Sequence, residues 1–319
     1  MRIGVSLAPL LSTMDIAAGR CSALFSGGPV VTGCFDQLSI HAPIKHGDLV
    51  AVAAKVVSIG RSSMVLRLLA THYLPSTSNA KPEVIASAYA TFIAVDTKTK
   101  RPRLLPPTAT PITQPSQHDE PHLRLISQEQ QLSRTLLDSF SVQRKQLSVN
   151  STPQRDEHAI KYLQTISFKK VLHVDQTEVT IRKHFLPRNQ NQAGLIFGGD
   201  ILSTFEQAAL TCASRMQSRR MVTVATRSIA FLAPVQPLSL LHVVARVVAC
   251  TGELVVVLVR SYVDQEHNRF ELQPSHQGVF YLRAADWQPV EVGVHAWNTA
   301  HEDDLHRVLP LPLPQQYAR

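Results

Sequence analysis

The chain repeats itself at an offset of 191 residues, and this repeat constrains the fold more than any other feature of the sequence. Segment Leu10–Ala18 aligns with Ile201–Ala209, and Leu49–Val57 aligns with Leu240–Val248. The alignment runs without a gap for nearly fifty positions, of which about a third are identical. Because one offset holds across a helical pattern, a loop and two strand patterns, shared periodicity alone does not explain the match. The sequence therefore predicts two copies of one domain.

Each copy has the pattern of one long apolar helix followed by strands. The helices are predicted at residues 8–24 and 199–215, and both contain an Ala-Ala step typical of a helix packed closely on a sheet. Runs rich in Val and Ile, bounded by Gly and Pro, predict antiparallel strands. These lie at 30–41, 48–58, 62–74 and 83–96 in the first copy and at 221–232, 239–249, 254–264 and 275–285 in the second. The expected fold class is α+β.

The two copies differ at their starts. The second copy has a further strand pattern, Glu178–Phe185, and a loop before its helix, whereas the equivalent positions of the first copy fall at or before residue 0. We expect the first domain to lack this strand, and a sequence truncated at its N-terminus is the alternative. The expected division is domain 1 at 1–106, a Pro-rich linker with a connecting helix (126–147) at 107–165, domain 2 at 166–290, and a C-terminal tail at 291–319.

Composition excludes several classes of protein. With 32 basic and 24 acidic residues the net charge is +8, which favours acidic ligands, but aromatic residues make up only 6% and the basic residues are dispersed, so no nucleic-acid partner is expected. The four cysteines form no C-x-x-C pair, which argues against a disulfide scaffold or a zinc ribbon. The longest apolar runs are far shorter than a membrane span, so no transmembrane segment is predicted.

Standard catalytic motifs such as G-x-S-x-G, a phosphate-binding loop or H-E-x-x-H are absent from the sequence, and no metal site is predicted. One segment stands out, Asn191–Gly199, which leads directly into the second helix. Adjacent glycines Gly198 and Gly199 at a helix start permit close approach of a ligand to exposed N–H groups. An ordinary tight turn would explain the same glycine pair.

Two further features carry possible chemistry. Asp15 and Glu206 occupy equivalent positions on the apolar helices, where a carboxyl group with a raised pKa can act as a general base toward water. The alternative is a carboxylate on a solvated helix edge. Between two predicted strands, a turn that contains Arg61, Ser62 and Ser63 could contact a phosphate group, or could be an ordinary hairpin.

In this order, and duplicated, these motifs resemble those of the hot-dog-fold acyl-CoA thioesterases. The pattern N-x-x-G-x-x-x-G-G at Asn191–Gly199, the helix with Asp15, the segment Val222–Val235 and the turn Gly60–Met64 carry the resemblance. The tandem arrangement is similar to that of the two-domain eukaryotic enzymes, above all their mitochondrial branch. The resemblance implies two hot-dog domains paired side by side, with acyl-CoA at the seam.

The resemblance also implies roles for individual residues. Asn191 matches the catalytic Asn of the family and Asp15 its catalytic Asp, on opposite domains. Backbone N–H groups at Gly198 and Gly199 would hold the oxyanion. Arg61, Ser62 and Ser63 would contact CoA. Glu206 would belong to a degenerate second site, since its Asn partner falls before residue 1. No metal or redox cofactor is needed.

Alternatives remain open on function. A non-catalytic acyl-CoA-binding or assembly subunit is compatible with the lost first strand. A hot-dog hydratase is less favoured, because neither Arg2–Asp15 nor Asn189–Gly199 contains a histidine. The resemblance further implies a homo-oligomer, with a trimer as one form, and a mitochondrial location, with the cytoplasm as the alternative. Acyl chain length is not predicted.

Overall fold

The computed structural model describes residues 6–44, 46–73, 83–106, 123–124, 170–216, 220–250, 254–265, 268–285 and 292–295. Helix α1, Ala8–Ser26, and helix α2, Gly198–Met216, have the predicted places in the two copies. Helix α1 ends at Gly27, whose φ of 66° is the left-handed conformation that suits glycine at a helix C-terminus. None of the helices in the described ranges is long and apolar enough to cross a membrane.

The strands also follow the sequence pattern. In the first half they are β1 Val30–Ile40, β2 Val50–Ile59, β3 Ser63–His72 and β4 Val84–Ala94. In the second half they are β5 Lys170–His173, β6 Val179–His184, β7 Met221–Phe231, β8 Leu240–Cys250, β9 Leu254–Gln265, β10 Asn268–Ala284 and β11 Val292–His295. Nine of them form one sheet in the order β2-β3-β4-β1-β7-β10-β9-β8-β6.

The two halves meet where β1 pairs with β7. In this antiparallel register Cys34 lies opposite Ala230, and Ser39 lies opposite Ala225. Ala225 is the repeat equivalent of Cys34 and Ala230 is that of Ser39, so exchanging the two copies converts one pair into the other. The two halves are therefore related by a pseudo-twofold axis. Gln37 and Ser228, which are also 191 residues apart, both have a φ near 50°. The repeat in the sequence is therefore a repeat in space, and the prediction of two hot-dog domains side by side is confirmed.

One core lies between the continuous sheet and the paired helices. Leu11, Met14 and Ala18 recur at helical spacing on the buried face of α1 and are fully buried. On α2 the equivalent face carries Phe205 and Ala209, also fully buried. Small side chains at the Ala-Ala steps let each helix lie close to the strands, as the sequence indicated.

The sheet edge agrees with the prediction, since β6 is the further strand expected at Glu178–Phe185 in the second copy, whereas the tail differs from the prediction. Strand β6 extends the second half beyond β8, whereas β2 is the outermost strand described in the first half. Strand β11 lies inside the predicted tail and pairs in parallel with β5, an arrangement that the sequence did not predict. The predicted connecting helix at 126–147 and most of the linker lie outside the described residues, so the domain boundaries stay predictions.

Candidate active site

Asp15 lies on the buried face of α1 and is only 1% exposed. Its carboxylate accepts hydrogen bonds from the Gly199 backbone N–H at 2.9 Å and from Thr32 Oγ1 at 2.8 Å. Burial raises the pKa of Asp15 to about 6, since it outweighs the lowering effect of these two donors, and the nearby Asp200 raises it slightly more. At neutral pH the group is an ionised carboxylate close to its pKa, which suits a general base.

The glycine pair is required by the contact between α2 and α1. A Cβ at Gly198 would lie 2.9 Å from Thr32 Oγ1 and 3.0 Å from Asp15 Oδ2. A Cβ at Gly199 would lie 2.9 Å from the backbone Cα of Ser12. Both positions are closer than real side chains tolerate, so only glycine lets the start of α2 reach the Asp15 carboxylate. An isolated tight turn does not account for this pair.

The N-terminus of α2 offers one free donor rather than two. The Gly199 N–H binds Asp15, which corrects the predicted role of Gly199: its N–H holds the carboxylate and is not available to an oxyanion. The Gly198 N–H has no acceptor among the residues that the structure describes, as expected for the first residue of a helix. Gly198 is therefore the remaining backbone candidate for an oxyanion donor.

Asn191 is held by the loop that precedes α2. Its Oδ1 accepts hydrogen bonds from the backbone N–H groups of Ala193 at 2.9 Å and Leu195 at 3.2 Å, and its own N–H donates to the Leu195 carbonyl at 2.7 Å. Gly194, with a φ of 73°, permits the tight turn. These contacts fix the amide so that Nδ2 alone stays without a hydrogen-bond acceptor within the described ranges.

A cavity of about 140 Å³ brings the two halves together. Its lining includes Thr32 and Lys100 from the first half and Asn191, Gly198, Phe231 and His276 from the second. Asp15 lies directly behind this wall, hydrogen-bonded to Thr32 and against Gly198. Asn191 and Gly198 thus line one cavity, and Asp15 contacts two of its lining residues, Thr32 and Gly198.

Glu206, the equivalent carboxylate of the second half, has a different environment. Its Oε1 accepts hydrogen bonds from the Leu7 backbone N–H at 2.8 Å and from Thr223 Oγ1 at 3.3 Å, and its Oε2 accepts one from Ser6 Oγ at 2.7 Å. Leu7 corresponds to Gly198 under the 191-residue shift. Among the described residues, the Gly198 N–H beside Asp15 stays free, whereas the equivalent Leu7 N–H donates to Glu206.

The predicted CoA-binding turn lies outside the cavity wall. Arg61 is exposed and Ser62 and Ser63 are half-buried, and the Arg61 and Ser62 carbonyls accept hydrogen bonds from Leu105 and Ala94. Ser63 of this turn pairs with Ile93 of β4, and Ile93 lines the cavity. Contact between this turn and CoA stays a prediction.

Sequence reasoning missed three residues of the cavity. Thr32 repeats as Thr223, each 17 positions after its carboxylate, and this signal could have identified it. Lys100 Nζ donates a hydrogen bond to the Ala193 carbonyl in the Asn191 loop. No local pattern reveals Lys100 or His276, because each reaches the site only through the pairing of strands far apart in the sequence.

Comparison with known proteins finds thioesterase-like sequence in both halves. Residues 8–72 and 193–268, one segment in each half, match the family model of the thioesterase superfamily. Over 98 residues, 31% of the chain, the sequence is 44% identical to an uncharacterized acyl-CoA thioester hydrolase of Zymomonas mobilis, and the match spans 64% of that protein.

Among solved structures, one match covers most of the chain. A structure from Lactobacillus plantarum assigned as an oleoyl thioesterase covers 89% of this chain and 94% of its own, at 10% identity and a TM-score of 0.55. An acyl-CoA hydrolase from Staphylococcus aureus, solved with butyryl-CoA and CoA, covers 43% of this chain and 85% of its own, at 18% identity and a TM-score of 0.40. Each half thus contains a segment that matches the thioesterase superfamily model, and the two halves form a tandem hot-dog fold.

Proposed function

We propose that this protein hydrolyses acyl-CoA thioesters at a single site between its two halves. The observation that carries the proposal is the convergence of a buried carboxylate with a raised pKa, an amide and a free helix N-terminus around one cavity. The similarity to the acyl-CoA thioester hydrolase of Zymomonas mobilis supports the same reaction class. The cavity of about 140 Å³ is well below the roughly 300–1,000 Å³ of pockets that enclose a drug-sized ligand, so it suits the reacting end of a CoA thioester.

In the proposed mechanism, Asp15 accepts a proton from a water at the cavity wall. The water oxygen bonds to the thioester carbon, the C–S bond breaks, and the proton passes to the CoA thiolate. Asn191 Nδ2 and the Gly198 N–H stabilise the oxyanion that forms on the carbonyl oxygen, and each such donor contributes about 10²–10³-fold in rate. Thr32 holds the carboxylate at the correct angle through its 2.8 Å hydrogen bond.

Lys100 brings a positive charge to the site and links the two halves through a hydrogen bond. Its Nζ donates a hydrogen bond to the Ala193 carbonyl, and the Ala193 N–H in turn donates to Asn191 Oδ1. Lys100 therefore stabilises the loop that positions the Asn191 amide. We therefore assign Lys100 as a positioning residue for Asn191. Together with Arg61, Ser62 and Ser63 it provides groups suited to the phosphates of CoA, in a chain of net charge +8.

The contacts of Glu206 support the proposal of a single active site. Both of its carboxylate oxygens and the Leu7 N–H are already engaged with one another and with Ser6. Asp15 also accepts hydrogen bonds at both oxygens, but within the described residues the Gly198 N–H beside it stays free for an oxyanion, whereas the equivalent Leu7 N–H is bound to Glu206. We therefore propose that the Glu206 site is degenerate and stabilises the paired helices.

The test is acyl-CoA turnover by the purified chain, followed as release of CoA thiol over a series of acyl chain lengths. Asn191→Ala should lower kcat by about 10²–10³-fold. Asn189→Ala is the matched control, since Asn189 lies in the same loop but donates to Asp200 Oδ2 at 2.8 Å. If CoA esters bind without turnover, the non-catalytic binding protein becomes the better assignment.

The resemblance to the mitochondrial two-domain enzymes supports two further proposals, a mitochondrial location and a homo-oligomeric state such as a trimer. Imaging of a fluorescent fusion tests the first. Light scattering on the purified chain tests the second. A cytoplasmic signal or a monomer would overturn the respective proposal.

A further inference from the structure

Three polar side chains form a buried cluster at one wall of the cavity: Ser261 on β9, and Ser275 and His276 on β10. Ser261 Oγ lies 2.8 Å from Ser275 Oγ and 3.2 Å from His276 Nδ1. Both serines are fully buried and His276 is 3% exposed. Because His276 also lines the cavity, the cluster places a polar group in the wall of the proposed active site.

The fold itself does not require these polar residues. The strand registers of the first half place Ala70 at the position of Ser261 and Ala86 at the position of His276. The backbone carbonyl of Ile85 accepts the same two hydrogen bonds as that of Ser275, so Ile85 is its equivalent. All three of these residues are fully buried and apolar. The first half therefore holds an apolar core at this place, whereas the second half places a polar cluster there, with His276 in the cavity wall.

The cluster leaves one hydrogen-bonding atom for a ligand. His276 Nδ1 is engaged with Ser261, whereas Nε2 has no partner in the part of the chain that the structure describes. Burial lowers the pKa of His276 to about 3, so the imidazole is neutral and Nε2 is a donor or an acceptor according to the tautomer. The Phe231 and Phe205 rings meet the imidazole at 90° and 85° and hold its orientation.

We propose that His276 is a specificity residue that recognises a hydroxyl group on the acyl chain of the substrate. A hydroxyl both donates and accepts, and therefore satisfies Nε2 in either tautomer. A plain alkyl chain would leave this nitrogen buried without a partner, which is the usual basis for rejecting an analogue that lacks a hydroxyl. The proposal deepens the proposed thioesterase function and rests on it.

The experiment compares CoA thioesters of four, six and eight carbons, each plain and with a hydroxyl at C3 in both configurations. At one chain length or more, the wild type should hydrolyse a hydroxyacyl ester with a kcat/KM about 10- to 100-fold above that of its plain counterpart. His276→Ala, which places the residue of the first half at this position, should reduce this ratio to about 1 whatever its effect on the plain esters. His276→Phe keeps the ring shape and should also remove the preference.

His41→Ala is the matched control. His41 Nε2 also bonds a serine, Ser87, at 2.7 Å, but it is exposed and does not line the cavity. Equal hydrolysis of plain and hydroxylated esters by the wild type would overturn the inference and leave the thioesterase function intact. If no ester is hydrolysed, the proposed function fails. The inference is then decided by calorimetric affinities of 3-hydroxybutyryl-CoA and butyryl-CoA for the wild type and His276→Ala, where an equal affinity overturns it.

Discussion

Replacing Asp15 by Asn should stabilise the protein at alkaline pH and, in the same molecule, remove its activity. Burial raises the pKa of Asp15 from 3.8 to about 6. The folded protein therefore binds more protons than the unfolded chain between about pH 4 and 6, so wild-type stability falls as the pH rises through this window and stays lower above it. The shift of about two pKa units corresponds to about 3 kcal/mol.

The neutral amide of the Asp15→Asn variant would avoid this penalty without losing the hydrogen bonds. Its Oδ1 can accept from the Gly199 N–H, and its Nδ2 can donate to Thr32 Oγ1, because a hydroxyl group acts as donor or acceptor. We expect Asp15→Asn to raise the free energy of unfolding by about 1–3 kcal/mol at pH 8 and to change it little near pH 4. Without the general base, kcat should fall by about 10²–10⁴-fold.

Two measurements check this prediction together. Urea denaturation at pH 4, 6 and 8 gives the free energy of unfolding, and thiol release gives kcat against pH. Wild-type kcat should rise with pH through about 6 and then level off, since the ionised carboxylate is the active form. Glu206→Gln is the matched control and should keep activity within about threefold. An Asp15→Asn protein that retains more than about a tenth of the activity would refute the assignment of Asp15 as the base.

Three other variants test the surroundings of Asp15. Thr32→Val removes a donor that lowers the pKa of Asp15, so the rise of kcat should move to higher pH; an unchanged profile would argue against coupling of the two groups. Gly198→Ala should lower the free energy of unfolding by about 1–3 kcal/mol and abolish turnover, whereas Gly19→Ala, with 3.4 Å to its nearest neighbour, should leave activity intact in the same melting and turnover assays. Lys100→Met should lower kcat by about tenfold or more with little loss in melting temperature, because the Asn191 loop loses the hydrogen bond that fixes it. Lys98 is an exposed lysine of the same turn, so an equal loss of activity in Lys98→Met would indicate a general charge effect.

Local sequence patterns determined most of the architecture. Helices predicted at 8–24 and 199–215 are Ala8–Ser26 and Gly198–Met216, and the eight core strands overlap the β-branched runs that predicted them, although β10 begins at Asn268 rather than at 275. These elements are predictable because helix and strand periodicities act over a few residues. The constant 191-residue offset then placed both copies in equivalent positions, since two similar sequences fold alike. Burial of Asp15 and Glu206 also followed from their apolar helical neighbours.

Only the tertiary structure decided how the two copies differ in chemistry. The sequence shows an Asp and a Glu at equivalent positions, but the added methylene of Glu206 matters only because Leu7 and Ser6 lie within its reach. In the same way, His276 of the second half occupies the position of Ala86 in the first half, and this equivalence depends on strand registers that no local pattern encodes. Such contacts depend on the pairing of β1 with β7, which joins residues nearly 200 positions apart. Local propensity carries no information about partners at that separation, so the site emerges only when the sheet closes around both helices.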